Sequence, residues 1–173
     1  MNKVSHDSET PAQGKQVISA CAFVHADFAG ETKIFLAKRA DTKKFLPGVY
    51  ELPGGHIDFG EDILDGLKRE IKEELNMSVT VGDPFYAATY INHIKGSHSI
   101  QVTYFAQFAE PIENIKIQPE DHSTYGWFSE EEVKAMRKQI VAEIYEGHVH
   151  GDDPEYLTML RGFELLNSGK VKF

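Results

Sequence analysis

Cysteine is nearly missing from this chain. Cys21 stands alone, so no intramolecular disulfide can form. It lies in the apolar run VISACAFV and reads as a small buried hydrophobe, with no surrounding motif to mark a reactive thiol. Basic residues are also scarce. Lys and Arg number 18 against 27 Asp and Glu, a formal net charge of −9, which argues against long nucleic acid as a partner. No run approaches the roughly 20 apolar residues that span a bilayer. The opening MNKVSHDSETPAQGKQ lacks the apolar core of a signal peptide, so no membrane partner and a cytoplasmic address are expected. P-loop, dinucleotide glycine fingerprint and nucleophile elbow are all absent. His93, His98, His148 and His150 match no zinc-ligand spacing and read as solvated loop residues.

What is present, 41% hydrophobic and 26% charged residues, suits an ordinary globular domain. Residues 1–15 read as a flexible tail, and residues 16–173 as one domain. β-Branched and aromatic content predicts strands at Gln16–Ala26 and Thr32–Lys38, joined by a turn at Ala29-Gly30-Glu31. Further strands are expected at Val49–Leu52, Val79–Val81, Phe85–Asn92, Ser99–Phe108, Ile115–Gln118 and Tyr125–Phe128. Ile63, Leu67, Ile71 and Leu75 recur every fourth residue, predicting a helix from Glu61 or Asp62 to Leu75 with Asn76 as its left-handed cap. Ser129 and Glu132 form a capping box that starts a second helix running to about Tyr145. Asp153 and Pro154 start a last helix that ends near Asn167, so C-terminal helices occupy about 129–168. This mixture predicts an α/β fold, a mixed sheet sandwiched between helices.

The densest signal is GHIDFGEDILDGLKREIKEELNM, residues 55–77. Glu70, Glu73 and Glu74 stand at i, i+3 and i+4, so their carboxylates leave the helix on one side. Each like-charged pair costs an isolated helix roughly 0.2–0.5 kcal/mol. A hard divalent cation reverses that penalty, because Mg²⁺ takes oxygen ligands and shares them with substrate phosphates. The segment therefore reads as a site for metal-dependent phosphate chemistry. As a bare helix, REIKEEL would only be a solvated acidic face. The glycine turn and Glu61 at fixed spacing are what set it apart.

Residues 55–77 resemble the signature box of the Nudix hydrolases, the MutT-like family. Gly55, Glu61 and Arg69-Glu70-Ile71-Lys72-Glu73-Glu74 follow that box position by position, as do Leu75 and Met77. Asn76 departs from it, standing where the family usually has glycine. Leu52-Pro53-Gly54-Gly55 and Leu36-Ala37-Lys38-Arg39 also fit. The likeness extends over about Val17–Phe128 and leaves out the tail and the last 45 residues.

The resemblance implies a Nudix fold and a Mg²⁺-dependent hydrolase, with Mn²⁺ as substitute. Its substrate would be a small nucleotide-like diphosphate, either a nucleoside triphosphate or another nucleoside diphosphate derivative. The products would be a monophosphate plus pyrophosphate or a second phosphorylated compound. Glu70, Glu73, Glu74 and the Gly54 carbonyl would hold metal. Arg69 would orient the carboxylates, and Glu61 would brace the loop. Glu70 or Glu73 would be the base. Asp121 is the candidate further ligand or base, with Glu120 as its alternative. Arg39 and Lys38 would meet substrate phosphates, and Gly55 would let the backbone approach substrate. Phe59, Tyr90 and Phe105 could stack on a base but read more readily as packing residues. Two rival readings are a catalytically silent nucleotide-sensing module and an isopentenyl-diphosphate isomerase-like enzyme. The second is disfavoured because Cys21 is expected far from the site. A homodimer is left open.

Overall fold

The computed structural model describes residues 16–140, 153–169 and 171. The expected tail, His148, His150 and the end of the second helix lie outside these residues. Strands β1 (Gln16–Phe28) and β2 (Glu31–Arg39) form the expected hairpin. Its turn places Ala29 at φ 57° and Gly30 at φ 89°, two consecutive positive values that match the twist of paired strands. Short strands β3 (Tyr50–Glu51) and β4 (Gly54–His56) follow, then helix α1 (Ile63–Leu75). Asp62 caps α1, accepting from the Leu64 and Asp65 amides, and Asn76 closes it at φ 54°.

The two expected strands 79–81 and 85–92 are one irregular strand, β5 (Val79–Asn92). Register shifts around Pro84 absorb a residue that cannot donate to the ladder. It pairs with β6 (Ser97–Phe108), and β7 (His122–Phe128) pairs with β2. Ile115–Gln118 is not a strand. A 3₁₀ turn at Ile112–Asn114 leads into it, and the amides of Lys116 and Gln118 bond to the Leu75 and Glu74 carbonyls. Those donors satisfy the C-terminal end of α1 instead of a ladder.

The sheet is seven-stranded and mixed, ordered β3-β2-β1-β6-β5, with β4 against β1 and β7 against β2. β1 runs parallel to β6 and antiparallel to β2 and β4. Alternation along β1 and β2 builds a core on each face. Ala20, Ala22, Phe35 and Ala37 meet Leu67, Ile71 and Leu75 of α1. Cys21, Phe23, Ile34 and Leu36 meet the other layer, made of α2 (Glu130–Ala135), α3 (Arg137–Ile140) and α4 (Pro154–Asn167). The expected continuous second helix is broken at Met136, yet Val133, Met136 and Ile140 all stay buried. α4 begins as expected, with Asp153 as cap and Pro154 in the first turn. The result is a sheet between helices. Among the described residues no helix is long and apolar enough to cross a membrane.

Candidate active site

The Leu52-Pro53-Gly54 turn is held from three directions. The Leu52 amide donates to Glu155 Oε1 at 2.5 Å, and the Ala22 amide donates to the Pro53 carbonyl at 2.9 Å. The Gly54 amide donates to Glu74 Oε2 at 3.1 Å. Gly54 has φ 141°, and a Cβ there would collide with the Ala20 carbonyl oxygen, so only glycine fits. A Cβ on Gly55 would fall 2.6 Å from Glu70 Cδ. The two glycines thus bring the backbone against the acidic face of α1.

Arg69 ties that face to the loop before it. Its Nε and NH2 each donate to Glu61 at 2.9 Å as a fork, and NH2 also reaches the His56 carbonyl at 3.1 Å. NH1 donates to Glu70 Oε1 at 2.7 Å and to Glu73 Oε2 at 3.4 Å. Glu61 in turn accepts from the Asp58 amide at 3.0 Å. These bonds hold the guanidinium strongly in its charged form. Glu70 is buried, with its side chain 8% exposed, whereas Glu73 is 59% exposed and more loosely held.

Glu70, Glu73, Glu74, Gly54, Gly55, Arg39 and Asp121 all border one cleft of about 230 Å³. Arg69 and Glu61 stand behind its wall, and Lys38 does not reach it. Arg39 reaches it already engaged. Its NH1 meets both Glu51 oxygens at 2.9 and 3.0 Å, and its Nε meets the Phe45 carbonyl at 3.0 Å. Asp121 Oδ1 is paired with Lys43 at 2.6 Å. Phe59 is fully exposed on its loop, and Phe105 is core, stacked on Phe85. Tyr90 borders the cleft.

Cys21 also lines this cleft, so its expected remoteness is wrong: β1 pairs Cys21 with Gly54 across the sheet. Its side chain is buried as expected. Burial, together with the charges of Glu155, Glu51, Glu74 and Glu70, pushes its thiol well up. That disfavours the thiolate a nucleophile needs.

Sequence reasoning passed over Glu51, His122 and Glu155. Burial would raise the Glu51 carboxyl, but Arg39 and a 3.1 Å contact to His122 Nε2 outweigh it and hold the group below its ordinary value. Glu155 is pushed well up by burial and by Glu51 and Asp153. Glu74 is pushed well up by burial and by Glu51 and Glu70. A charged Glu51 inside the apolar stretch Val49–Leu52 was the available signal for the first; nothing local marked Glu155.

Among the described residues, no three His, Cys, Asp or Glu side chains are gathered as a ready metal site. Glu70 leans to Arg69, Glu74 to the Gly54 amide and Asp121 to Lys43. The donor set still suits a hard divalent cation. It is made of oxygens, its buried Glu74 carries like charges on two sides, and the glycine turn leaves open the space beside Glu70.

The NUDIX domain family model matches residues 16–147. The NAD-capped RNA hydrolase NudC of Stutzerimonas stutzeri is 28% identical over 135 residues, covering 73% of this chain and 47% of that protein. The nucleoside triphosphatase NudI of Escherichia coli O17:K52:H18 is 29% identical over 128 residues, covering 69% of this chain and 86% of that one. This chain therefore spans about half the length of the NudC relative and most of the NudI relative. A MutT protein from Methanosarcina mazei Go1 shares the fold with a TM-score of 0.67 at 19% identity, covering 90% of this chain and 97% of that chain. With its box residues assembled at one cleft and its family model spanning most of the sequence, the chain belongs to the NUDIX domain family.

Proposed function

We propose that this protein is a divalent-metal-dependent hydrolase, using Mg²⁺ with Mn²⁺ as substitute, that cleaves the pyrophosphate linkage of a nucleoside triphosphate or other nucleoside diphosphate derivative. The observation that carries this reading is the convergence of Glu70, Glu73, Glu74, Gly54 and Asp121 on one cleft, where carboxylates outnumber the bases Arg39 and Lys43. An anionic substrate enters such a cleft only if cations come with it. Glu70, Glu73, Glu74 and the Gly54 carbonyl would hold the metal, with Asp121 as a further donor. The metal would neutralise phosphoryl oxygens and acidify water.

The chain's own residues do the rest. Arg69 aligns Glu70 and Glu73, the Gly54 amide holds Glu74, and Glu61 locks Arg69. Water attacks phosphorus, the bridging oxygen leaves, and a carboxylate takes the water proton. Glu73 is exposed and held at only 3.4 Å, which makes it better placed for that proton than Glu70, held at 2.7 Å. Lys43 is the base placed to meet a phosphate once Asp121 turns to metal. The activities for which the NudC and NudI relatives are named, on NAD-capped RNA and on nucleoside triphosphates, support a nucleotide substrate class.

Cys21 in the cleft wall supports a second reading, the diphosphate isomerase. Product analysis separates the readings. Incubation with Mg²⁺ and a panel of nucleoside triphosphates, sugar nucleotides and dinucleoside polyphosphates should yield a monophosphate plus pyrophosphate or another phosphorylated product. Replacement Glu74→Gln should lower turnover at least about hundredfold, more than loss of an outer-shell partner costs. Binding without turnover would indicate a sensor. Rearrangement of isopentenyl diphosphate without phosphate release would indicate the isomerase.

A further inference from the structure

One buried polar side chain of the cleft has no work in the chemistry above. Gln101 is 6% exposed, borders the cleft, and its amide makes no hydrogen bond to any described residue. Among the described residues the amide has no partner, yet it is not sealed off, so a ligand in the cleft can pair it. Its neighbours leave room around it. Strand register sets Ser19 of β1 on one side and Ala88 of β5 on the other, both small and both bordering the cleft. Beside this row stands an aromatic wall, Phe45 and Tyr90, nearly parallel at 18° with centroids 6.1 Å apart.

The distance to the acidic end suits a nucleoside. Cys21 pairs with Gly54 and Ser19 with Gln101 on opposite edges of β1, so Gly54 and Gln101 stand about 10 Å apart across two strand spacings and about 7 Å apart along the strands, roughly 12 Å in all. A base, its ribose and the first phosphate cover a span of that order.

We propose that Gln101 and the Phe45–Tyr90 pair form a nucleobase subsite, the amide making a two-point hydrogen bond to a base that presents a donor beside an acceptor. A glutamine amide offers both partners in one plane, as it does to adenine edges elsewhere. The rings supply a sequence-tolerant apolar contact. The subsite rests on the hydrolase reading for its phosphate end but is tested independently of turnover.

The test is calorimetric binding of AMP, CMP and ribose 5-phosphate to wild type, Gln101→Leu and Gln101→Asn, with melting curves as fold controls. Gln101→Leu should weaken AMP or CMP binding about tenfold, with ribose 5-phosphate unchanged. Gln101→Asn, which keeps the amide but shortens it, should bind AMP or CMP more weakly than wild type and more tightly than Gln101→Leu. Equal binding of the nucleotides by wild type and both variants, or equal loss for nucleotides and ribose 5-phosphate, overturns the subsite. So does failure of wild type to bind either nucleotide. Kinetics then separates the two ideas: a raised KM with little change in kcat for Gln101→Leu supports the subsite within a working hydrolase. Nucleotide binding that depends on Gln101, without hydrolysis by wild type, keeps the subsite and removes the hydrolase.

Discussion

At the scale of single residues, the side chains around the cleft are in electrostatic conflict, and Glu155 shows its sign most cleanly. Burial, then Glu51 and Asp153, raise its carboxyl well above the ordinary 4.5. Below that value both folded and unfolded chains hold the proton, and no penalty exists. As pH rises above it, the unfolded chain ionises first, so stability is lost up to the folded pKa. Glu51 runs the other way, since Arg39 and His122 hold it low despite burial; its stability is present at neutral pH and lost on acidification. The difference between variant and wild type, not the wild-type curve, therefore isolates Glu155. Glu155→Gln keeps an oxygen to accept the Leu52 amide and removes the charge. Its melting temperature should match wild type near pH 4 and exceed it at pH 8 by about 2–4 °C, the shift that 1 kcal/mol produces in a chain of this size. Equal gains at both pH values, or a loss at pH 8, would show that Glu155 is not an unfavourable charge.

Elements were legible where their signals are local. α1 announced itself by Ile63, Leu67, Ile71 and Leu75, and both its ends by Asp62 and Asn76, because periodicity and caps act within a few residues. The acidic face of α1 and its link to Glu61 and Arg69 were readable for the same reason. Ile115–Gln118 misled because its β-branched residues suit a strand, while its amides are taken by the end of a helix some forty residues earlier. Glu155 was invisible because its partner Leu52 is 103 residues away. A longer separation still hides the packing of α4 from the sequence. Gly162 lies against Phe23, where an added Cβ would come within 2.6 Å of ring carbon Cδ2. Phe23 cannot retreat, as Phe85, Phe105 and Phe163 surround it with centroids 5.4 to 5.7 Å away. Gly162→Ala, favourable in an isolated helix, should instead destabilise by about 1–3 kcal/mol through overpacking, read by urea denaturation. Because α4 carries Asp153 and Glu155 to the cleft, turnover should fall with it. A variant as stable as wild type would mean that α4 sits less tightly on the sheet than these contacts imply.

For the whole molecule, the formal charge of −9 and the crowded carboxylates at the cleft make the folded state sensitive to cations in two separable ways. Any salt screens long-range repulsion, with a Debye length of about 10 Å at 0.1 M, so some stabilisation follows from ionic strength alone. A bound divalent ion adds a further term that grows with the logarithm of its concentration, about 2.7 kcal/mol at a hundredfold above the dissociation constant. In a chain of this length that corresponds to a rise in melting temperature of about 5–10 °C. Titration with MgCl₂ should therefore raise the melting temperature above that in NaCl at matched ionic strength, rising with the logarithm of magnesium concentration once the site fills, and EDTA should reverse it. Glu74→Gln, which keeps an acceptor for the Gly54 amide, should still follow the NaCl response but lose most of the additional magnesium effect. Coincident MgCl₂ and NaCl curves in the wild-type protein would mean that repulsion is relieved only by screening, leaving the cluster on α1 without a metal to justify it.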